Sequence, residues 1–155
     1  MPHLSTSRIV NLTAHQAFAI AADVSAYHEF LPLLKRSTVR GAVQHVGDEL
    51  VFSADLQIAY PKLGFSESFT SDVTTNEKLR TVTALSNDGP LKSLKAVWTI
   101  SELPNNQAEV SIAIDYALNN MMLQLLAGKL MDFATQKIMH AFEDRGRILY
   151  GSALS

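Results

Sequence analysis

Residues 120–150, NMMLQLLAGKLMDFATQKIMHAFEDRGRILY, contain no proline and only Gly128 and Gly146 as glycines. Met122, Leu126, Leu130, Phe133, Ile138, Ala141, Phe142, Ile148 and Leu149 recur along them at helical spacing, which predicts one amphipathic helix. About 30 residues at ~1.5 Å each would span roughly 45 Å. A helix of that length with one apolar face needs a surface to cover it, and the rest of the chain reads mostly as strands.

Upstream of the helix the period changes to two. Ser37, Val39, Gly41 and Val43 alternate with Thr38, Arg40, Ala42 and Gln44, and Gly47-Asp48 marks a turn. Leu50, Phe52, Ala54, Leu56 and Ile58 share one strand face. After a bend at Tyr60–Gly64, Phe65, Glu67, Phe69, Ser71 and Val73 share the next. Asn76-Glu77 turns the chain into a strand expected over residues 78–85, and Ser86-Asn87-Asp88-Gly89-Pro90 is a strong loop signal. Leu94, Ala96, Trp98 and Ile100 form another stripe, and Pro104-Asn105-Asn106 turns the chain again. Val110, Ile112, Ile114, Tyr116 and Leu118 form the last stripe.

At the N-terminus, residues 3–12 read as a strand. Thr13 is placed to cap a short helix holding Ala17, Phe18, Ile20 and Ala21. A second short helix is expected from Ser25 to about Phe30, since Pro32 disfavours helical geometry at Leu31. Strands joined by short turns pair antiparallel. The predicted fold is therefore α+β: a bent antiparallel sheet of about six or seven strands, two short helices after the first strand, and the long C-terminal helix covering the apolar face. Residues 1–155 are expected to form a single domain.

Composition narrows the chemistry. Hydrophobic residues make up 47% and charged residues 18%, a globular balance, and the net charge of -2 gives no broad surface for DNA. There is no cysteine, which excludes disulfides, thiolate nucleophiles and cysteine-based metal sites. His3, His15, His28, His45 and His140 show no metal-ligand spacing, so no metal and no cofactor is expected. The N-terminus carries no signal-peptide pattern, and no apolar run reaches the ~20 residues that cross a bilayer. These features point to a cytoplasmic protein. No Gly-x-Ser-x-Gly, phosphate-binding loop or Gly-x-Gly-x-x-Gly occurs.

The residues that remain for chemistry are few. Glu67 lies between Phe65 and Phe69 on one parity. Either it reaches water or a cation such as Arg80 or Lys95 at the sheet rim, or it is a polar group in a ligand pocket. Alternation places Lys95 outside. Asp55 and Asp115 fall on the polar parity and are expected in solvent. Trp98, the single tryptophan, is either core or the wall of a pocket. Met121, Met122, Met131 and Met139 on the long helix suit an irregular core or a greasy site. Phe30-Leu31-Pro32-Leu33-Leu34 would plug one end of a sheet–helix cavity, or, with Lys35, Arg36 and Arg40, meet an anionic membrane surface.

These segments carry a family resemblance. Ala26-Tyr27-His28-Glu29-Phe30-Leu31-Pro32 resembles the Tyr-Pro-x-Phe-Leu-Pro segment of the coenzyme Q-binding proteins and their bacterial relatives, and Ser37-x-Val39 follows at the family's spacing. Ser66-Glu67-Ser68-Phe69-Thr70 is similar to that family's Glu-x-Phe strand. Gly89-Pro90-Leu91-Lys92-x-Leu94-x-x-x-Trp98-x-Ile100 is similar to its Gly-Pro-Phe-x-x-Leu-x-x-x-Trp-x-Phe signature. Phe142-Glu143-x-Arg145 and Leu149-Tyr150-Gly151 resemble its C-terminal helix ending. The departures are His28 for proline, Leu33-Leu34 for Trp-Cys, and Leu91 and Ile100 for aromatics; each keeps the position apolar or removes a ring.

The resemblance spans nearly the whole chain and implies a START-like, helix-grip fold of the polyketide cyclase/dehydrase type, enclosing an apolar cavity. It implies non-catalytic binding of a hydrophobic small molecule, ubiquinone or another polyprenyl lipid, in support of respiratory quinone function. Phe52, Leu56, Phe69, Ile100, Met122, Leu126, Leu130 and Phe133 would then hold the tail, Glu67 or Trp98 would meet the head, and Phe30, Leu31 and Leu34 would gate entry. Contact through Phe30–Arg36 would place the protein at the inner membrane face. Two alternatives come with the resemblance: a ribosome-association toxin binding the large ribosomal subunit, and a polyketide aromatase/cyclase using Glu67.

Overall fold

The computed structural model describes residues 3–151. Strand β1 (His3–Val10) leads into helix α1 (Ala14–Ala22) and a 3₁₀ turn over Val24–Glu29. Then come β2 (Leu34–Val46), β3 (Glu49–Tyr60), a short 3₁₀ turn at Pro61–Leu63, β4 (Phe65–Asn76), β5 (Thr81–Ser86), β6 (Leu91–Leu103) and β7 (Gln107–Leu118), and finally helix α2 (Met121–Tyr150). The strands form one sheet in the order β1-β7-β6-β5-β4-β3-β2, every neighbouring pair antiparallel. This is the α+β, START-like helix-grip arrangement expected from the sequence, with the long helix and the two short helical segments in their expected places.

Local chemistry sets the boundaries. The Thr13 hydroxyl accepts from the Gln16 amide at 3.1 Å while the Gln16 side chain accepts from the Thr13 amide at 3.1 Å, a reciprocal capping box that starts α1. Asn120 caps α2 by accepting from the Leu123 amide at 2.8 Å. Breaks in strand pairing between Leu34 and Arg36 and between Arg40 and Gln44 bend β2, the second one around Gly41 in the left-handed region. The strand expected over 78–85 starts only at Thr81. The Asn76 side chain accepts from the Leu79 amide at 2.9 Å, and Arg80 takes φ 54°, so the turn consumes those residues.

β1 and β2 lie at opposite edges of the sheet, so the segment between them must cross one end of its apolar face. α1 makes that crossing and packs against β5, β6, β7 and α2. There Val10, Leu12, Phe18, Ile20, Val110 and Phe142 form a dry core. Helix α2 does not bury its apolar residues evenly. Ala134, Ile138, Met139, Phe142 and Gly146 are buried, but Met122, Ile148 and Leu149 are exposed, against the stripe read from the sequence. At both ends the helix runs past the elements that would cover it.

Candidate functional site

Between the sheet and the Ala127–Ile138 stretch of α2 lies a cavity of about 200 Å³. Sheet register explains the gap. Val73, Ala84, Ala96 and Ile114 form one row across β4, β5, β6 and β7. Its middle members end in methyl groups, where longer side chains would reach the helix. Ala127, Leu130, Met131 and Ile138 of α2 form the roof. Leu31 and Leu34 line one end.

The end loops are held in place by specific contacts. Gly89 takes φ +60°, and a Cβ there would meet the Ser68 carbonyl at 2.8 Å, so the Gly89-Pro90 turn can lie directly on β4 only as glycine. The Asn119 side chain donates to the Gly89 carbonyl at 2.9 Å and the Asn119 amide to the Pro90 carbonyl at 2.9 Å, tying this turn to the start of α2. Pro90 and Leu91 thereby reach the cavity wall. On the opposite side, the Ser37 hydroxyl accepts from the His28 amide at 3.0 Å and donates to the Ser25 carbonyl at 3.2 Å, fastening the 3₁₀ turn to β2. His28 itself is exposed, with its Nδ1 at 2.9 Å from the same hydroxyl. Arg145 pairs with Glu29 at 3.1 Å and lays its guanidinium over the Phe30 ring at 5.3 Å. Within the motif segments, Glu29, Ser37, Gly89 and Arg145 therefore act as latches that hold the cavity's end loops.

Polar groups on the wall are Tyr27, Glu67, Ser71, Trp98 and Tyr116. The Tyr27 hydroxyl donates to the Ala21 carbonyl at the end of α1. Burial pushes its pKa well above the ordinary tyrosine value; the Trp98 indole acts the other way, and Asp23 adds to the rise. Tyr116 is also raised, first by burial and then by the Asp132 carboxylate. Ser71 Oγ is fully buried and has no hydrogen-bond partner among the described residues. Glu67 is half-buried at the cavity wall. Neither cation considered for it serves: Arg80 lies 3.5 Å from Glu102, and Lys95 is exposed on the outer face. Asp55 and Asp115 lie on the solvent side, as their parity indicates.

Of the residues singled out from the sequence, Leu31, Leu34, Leu56, Glu67, Phe69, Trp98 and Leu130 are brought together around the cavity. The others fall elsewhere. Phe30 turns its ring edgewise to Tyr27 at 6.1 Å and to Phe142 at 6.5 Å, on the core side. Phe52 and Ile100 are buried in the packed core, Ile100 in the strand that α1 covers. Met122 is 73% exposed, one turn ahead of the roof. Leu126 lies on the flank of the helix, because the roof face is set by Ala127, Leu130 and Met131. Phe133 stacks on Tyr60 at 5.6 Å and carries Lys137 Nζ 5.3 Å from its ring, outside the cavity.

Tyr27, Ser71, Ala84, Leu91 and Tyr116 are wall residues beyond those singled out from the sequence. For Ser71 and Ala84 the signal was parity combined with small size. For Tyr27 the signal was its place at the head of the Tyr27–Pro32 motif and not periodicity, since a residue in a 3₁₀ turn follows neither strand nor helix period. Among the described residues no group of side chains is gathered to hold a metal ion, and no helix is long and apolar enough to cross a membrane.

Residues 10–143 match the family described as polyketide cyclase / dehydrase and lipid transport. The Ribosome association toxin RatA of Vibrio cholerae is 29% identical over 153 residues, covering 97% of this chain and 99% of that protein. The Coenzyme Q-binding protein COQ10 homolog B, mitochondrial, of Xenopus laevis is 24% identical over 151 residues, 95% of this chain and 59% of that protein. Among solved structures, the Zhui aromatase/cyclase from a Streptomyces species superposes with a TM-score of 0.80 at 11% identity, covering 98% of each chain. A START superfamily protein from Mycobacterium smegmatis superposes with a TM-score of 0.71 at 18% identity, over 95% of this chain and 98% of that one. At these identities the two superpositions show the fold.

Proposed function

The chain belongs to the polyketide cyclase / dehydrase and lipid transport family, and on that premise we propose that it binds and carries ubiquinone or another polyprenyl lipid without altering it chemically, in support of respiratory quinone function. The observation that carries this reading is the cavity wall: apolar over almost its whole surface, with isolated polar groups. Burial there stabilises a hydrocarbon by about 25 cal/mol per Å² removed from water. The similarity to the coenzyme Q-binding homologue of Xenopus laevis supports the ligand class. Loading would bring Phe30–Arg36 to the inner membrane face, where Lys35 and Arg36 are exposed. Trp98, the single tryptophan, lines the cavity and reports binding directly, because a quinone quenches indole fluorescence. Lipid extracted from the purified protein should contain a quinone or polyprenyl species. Protein that purifies empty and also fails to show Trp98 quenching by added quinone would overturn the reading.

A second reading, association with the large ribosomal subunit, is favoured by the similarity to the RatA protein over nearly both full lengths. Lys35 and Arg36 are its best anchors here, because Arg40 is engaged with Asp55 at 3.6 Å. Co-sedimentation with large subunits that Lys35→Glu with Arg36→Glu leaves unchanged would remove those anchors. An aromatase/cyclase activity has only Glu67 as a carboxylate on the cavity wall. Glu67→Gln with all function retained would eliminate it.

A further inference from the structure

We infer that the cavity takes a neutral lipid head first, with the polar head hydrogen-bonded to Ser71 and the apolar tail leaving through the mouth. This rests on the lipid-carrier reading and adds ligand class and orientation to it.

Ser71 supplies the first argument. Its hydroxyl is fully buried, lies on the cavity wall and has no partner among the described residues. A buried hydroxyl without a partner is costly, and native structures rarely keep one without a use. A carbonyl or hydroxyl on a bound molecule would satisfy it. The neighbouring wall is made of small side chains, with Ala54 opposite Ser71 on β3 and Ala84 opposite Ala96 on β5 and β6. That leaves width for a ring.

Depth and volume set the orientation. Leu34, Ile58 and Glu67 form one cross-strand row, all half-exposed, and mark the mouth. Ser71 lies four residues beyond Glu67 on the same strand face, about 13 Å further in. A cavity of about 200 Å³ is smaller than the ~300–1,000 Å³ of typical ligand pockets. It holds a ring and a short segment of chain, so a long tail must remain partly outside. A tail-first ligand would press hydrocarbon against Ser71 and leave it without a partner. A head-first ligand satisfies it, and the tail then meets Met121, Met122 and Leu125, which are exposed on the turns of α2 just before the roof.

Charge sets the class. Among the described residues the wall contains no lysine, arginine or histidine, and its one carboxylate, Glu67, stands at the mouth. An anionic head would pass that carboxylate and be buried without a counter-charge. A neutral carbonyl or hydroxyl head carries no such cost.

The test uses Trp98 fluorescence of the full chain titrated with ubiquinone bearing a single isoprene unit. Ser71→Ala should weaken binding about fivefold, the value of one neutral hydrogen bond. It should leave squalene binding unchanged and raise the melting temperature of the empty protein, because the buried hydroxyl is gone. Ser71→Cys, which keeps the volume, should weaken binding in the same direction. A quinone carrying a bulky dye at the tail end should bind as tightly as the undyed one, and oleate should not displace it. Unchanged quinone affinity in both variants, exclusion of the dyed quinone, or displacement by oleate would overturn the inference while leaving the carrier reading intact. Absence of quenching in the wild-type protein would overturn the carrier reading itself.

Discussion

From Ala134 to Gly146, α2 is packed as a core helix, with Ile138 also reaching the cavity wall, whereas from Met121 to Met131 it roofs a cavity and leaves Met121, Met122 and Leu125 in solvent. Both halves carry apolar residues at helical spacing over the same sheet. They differ in what lies between helix and sheet. Under the second half, α1 and the end of β1 fill the gap: Leu12 touches the helix at Gly146, and Phe142 sits 5.3 Å from Trp98 with no exposed surface. Under the first half there is no such layer, and Ala84 and Ala96 present only methyl groups to the roof. A third layer converts helix-on-sheet into core; its absence converts the same arrangement into a container.

The largest effect should come from the packed half. Phe142→Ala should destabilise the fold by about 3–5 kcal/mol, as for other buried aromatics, measured by urea unfolding. A loss below ~1 kcal/mol would mean that this half is as loosely filled as the other, and the contrast would collapse. Gly146→Ala is smaller but more pointed. Alanine is the better helix former, yet its Cβ would meet Leu12 Cδ1 at 2.7 Å. Overpacking outweighs the propensity gain, and a net destabilisation on the order of 1 kcal/mol is expected. A more stable variant would show that α1 and α2 have slack between them.

This contrast also explains what could be read in the sequence. Strand stripes gave the sheet and its inward face, because parity is a local property of each strand, whereas the pairing of β1 with β7 came only with the structure. The length of α2 followed from its unbroken period and the absence of proline. Which half of α2 would be covered could not be read, because it depends on where α1 lands, and α1 is placed by the crossing from one sheet edge to the other. Ile100 therefore looked like a cavity residue, although α1 covers its strand and turns its region into core, and Phe52 is likewise buried in the core cluster. Phe133 was drawn away by Tyr60, a partner from the bend between β3 and β4 that no periodicity links to the helix. Glu67 and Phe69 were found because β4 keeps strict alternation up to the mouth.

Tyr27 stands at the boundary, with its ring on the cavity wall and its hydroxyl bonded to the last turn of α1. Tyr27→Phe should cost about 1 kcal/mol at neutral pH, the value of one hydrogen bond. It should also change the alkaline response. Burial raises the pKa of Tyr27 and of Tyr116 above the ordinary value of 10.0. Above that pH the unfolded chain releases tyrosine protons that the native state keeps. The native state then binds more protons, and stability falls as pH rises. Urea midpoints should decline above about pH 10 in the wild-type protein and decline less in Tyr27→Phe. Equal decline would show that the boundary between core and cavity is wetter than the burial of Tyr27 implies.

The smallest effect on stability belongs to the open half, and there it separates structure from use. Met121→Gln, Met122→Gln and Leu125→Gln replace exposed side chains, so together they should shift folding free energy by no more than roughly 0.5 kcal/mol each. If these residues only decorate the helix, nothing else changes. If they receive the tail of a head-first ligand, the triple variant should keep its affinity for the one-isoprene quinone, whose tail stays inside. It should lose affinity for longer quinones, and by more as isoprene units are added. The dependence on chain length is the diagnostic quantity, because a general loss of fold or of cavity shape would weaken all quinones alike. A triple variant that binds every chain length as the wild-type protein does would mean that the exposed turns of α2 lie off the ligand's path.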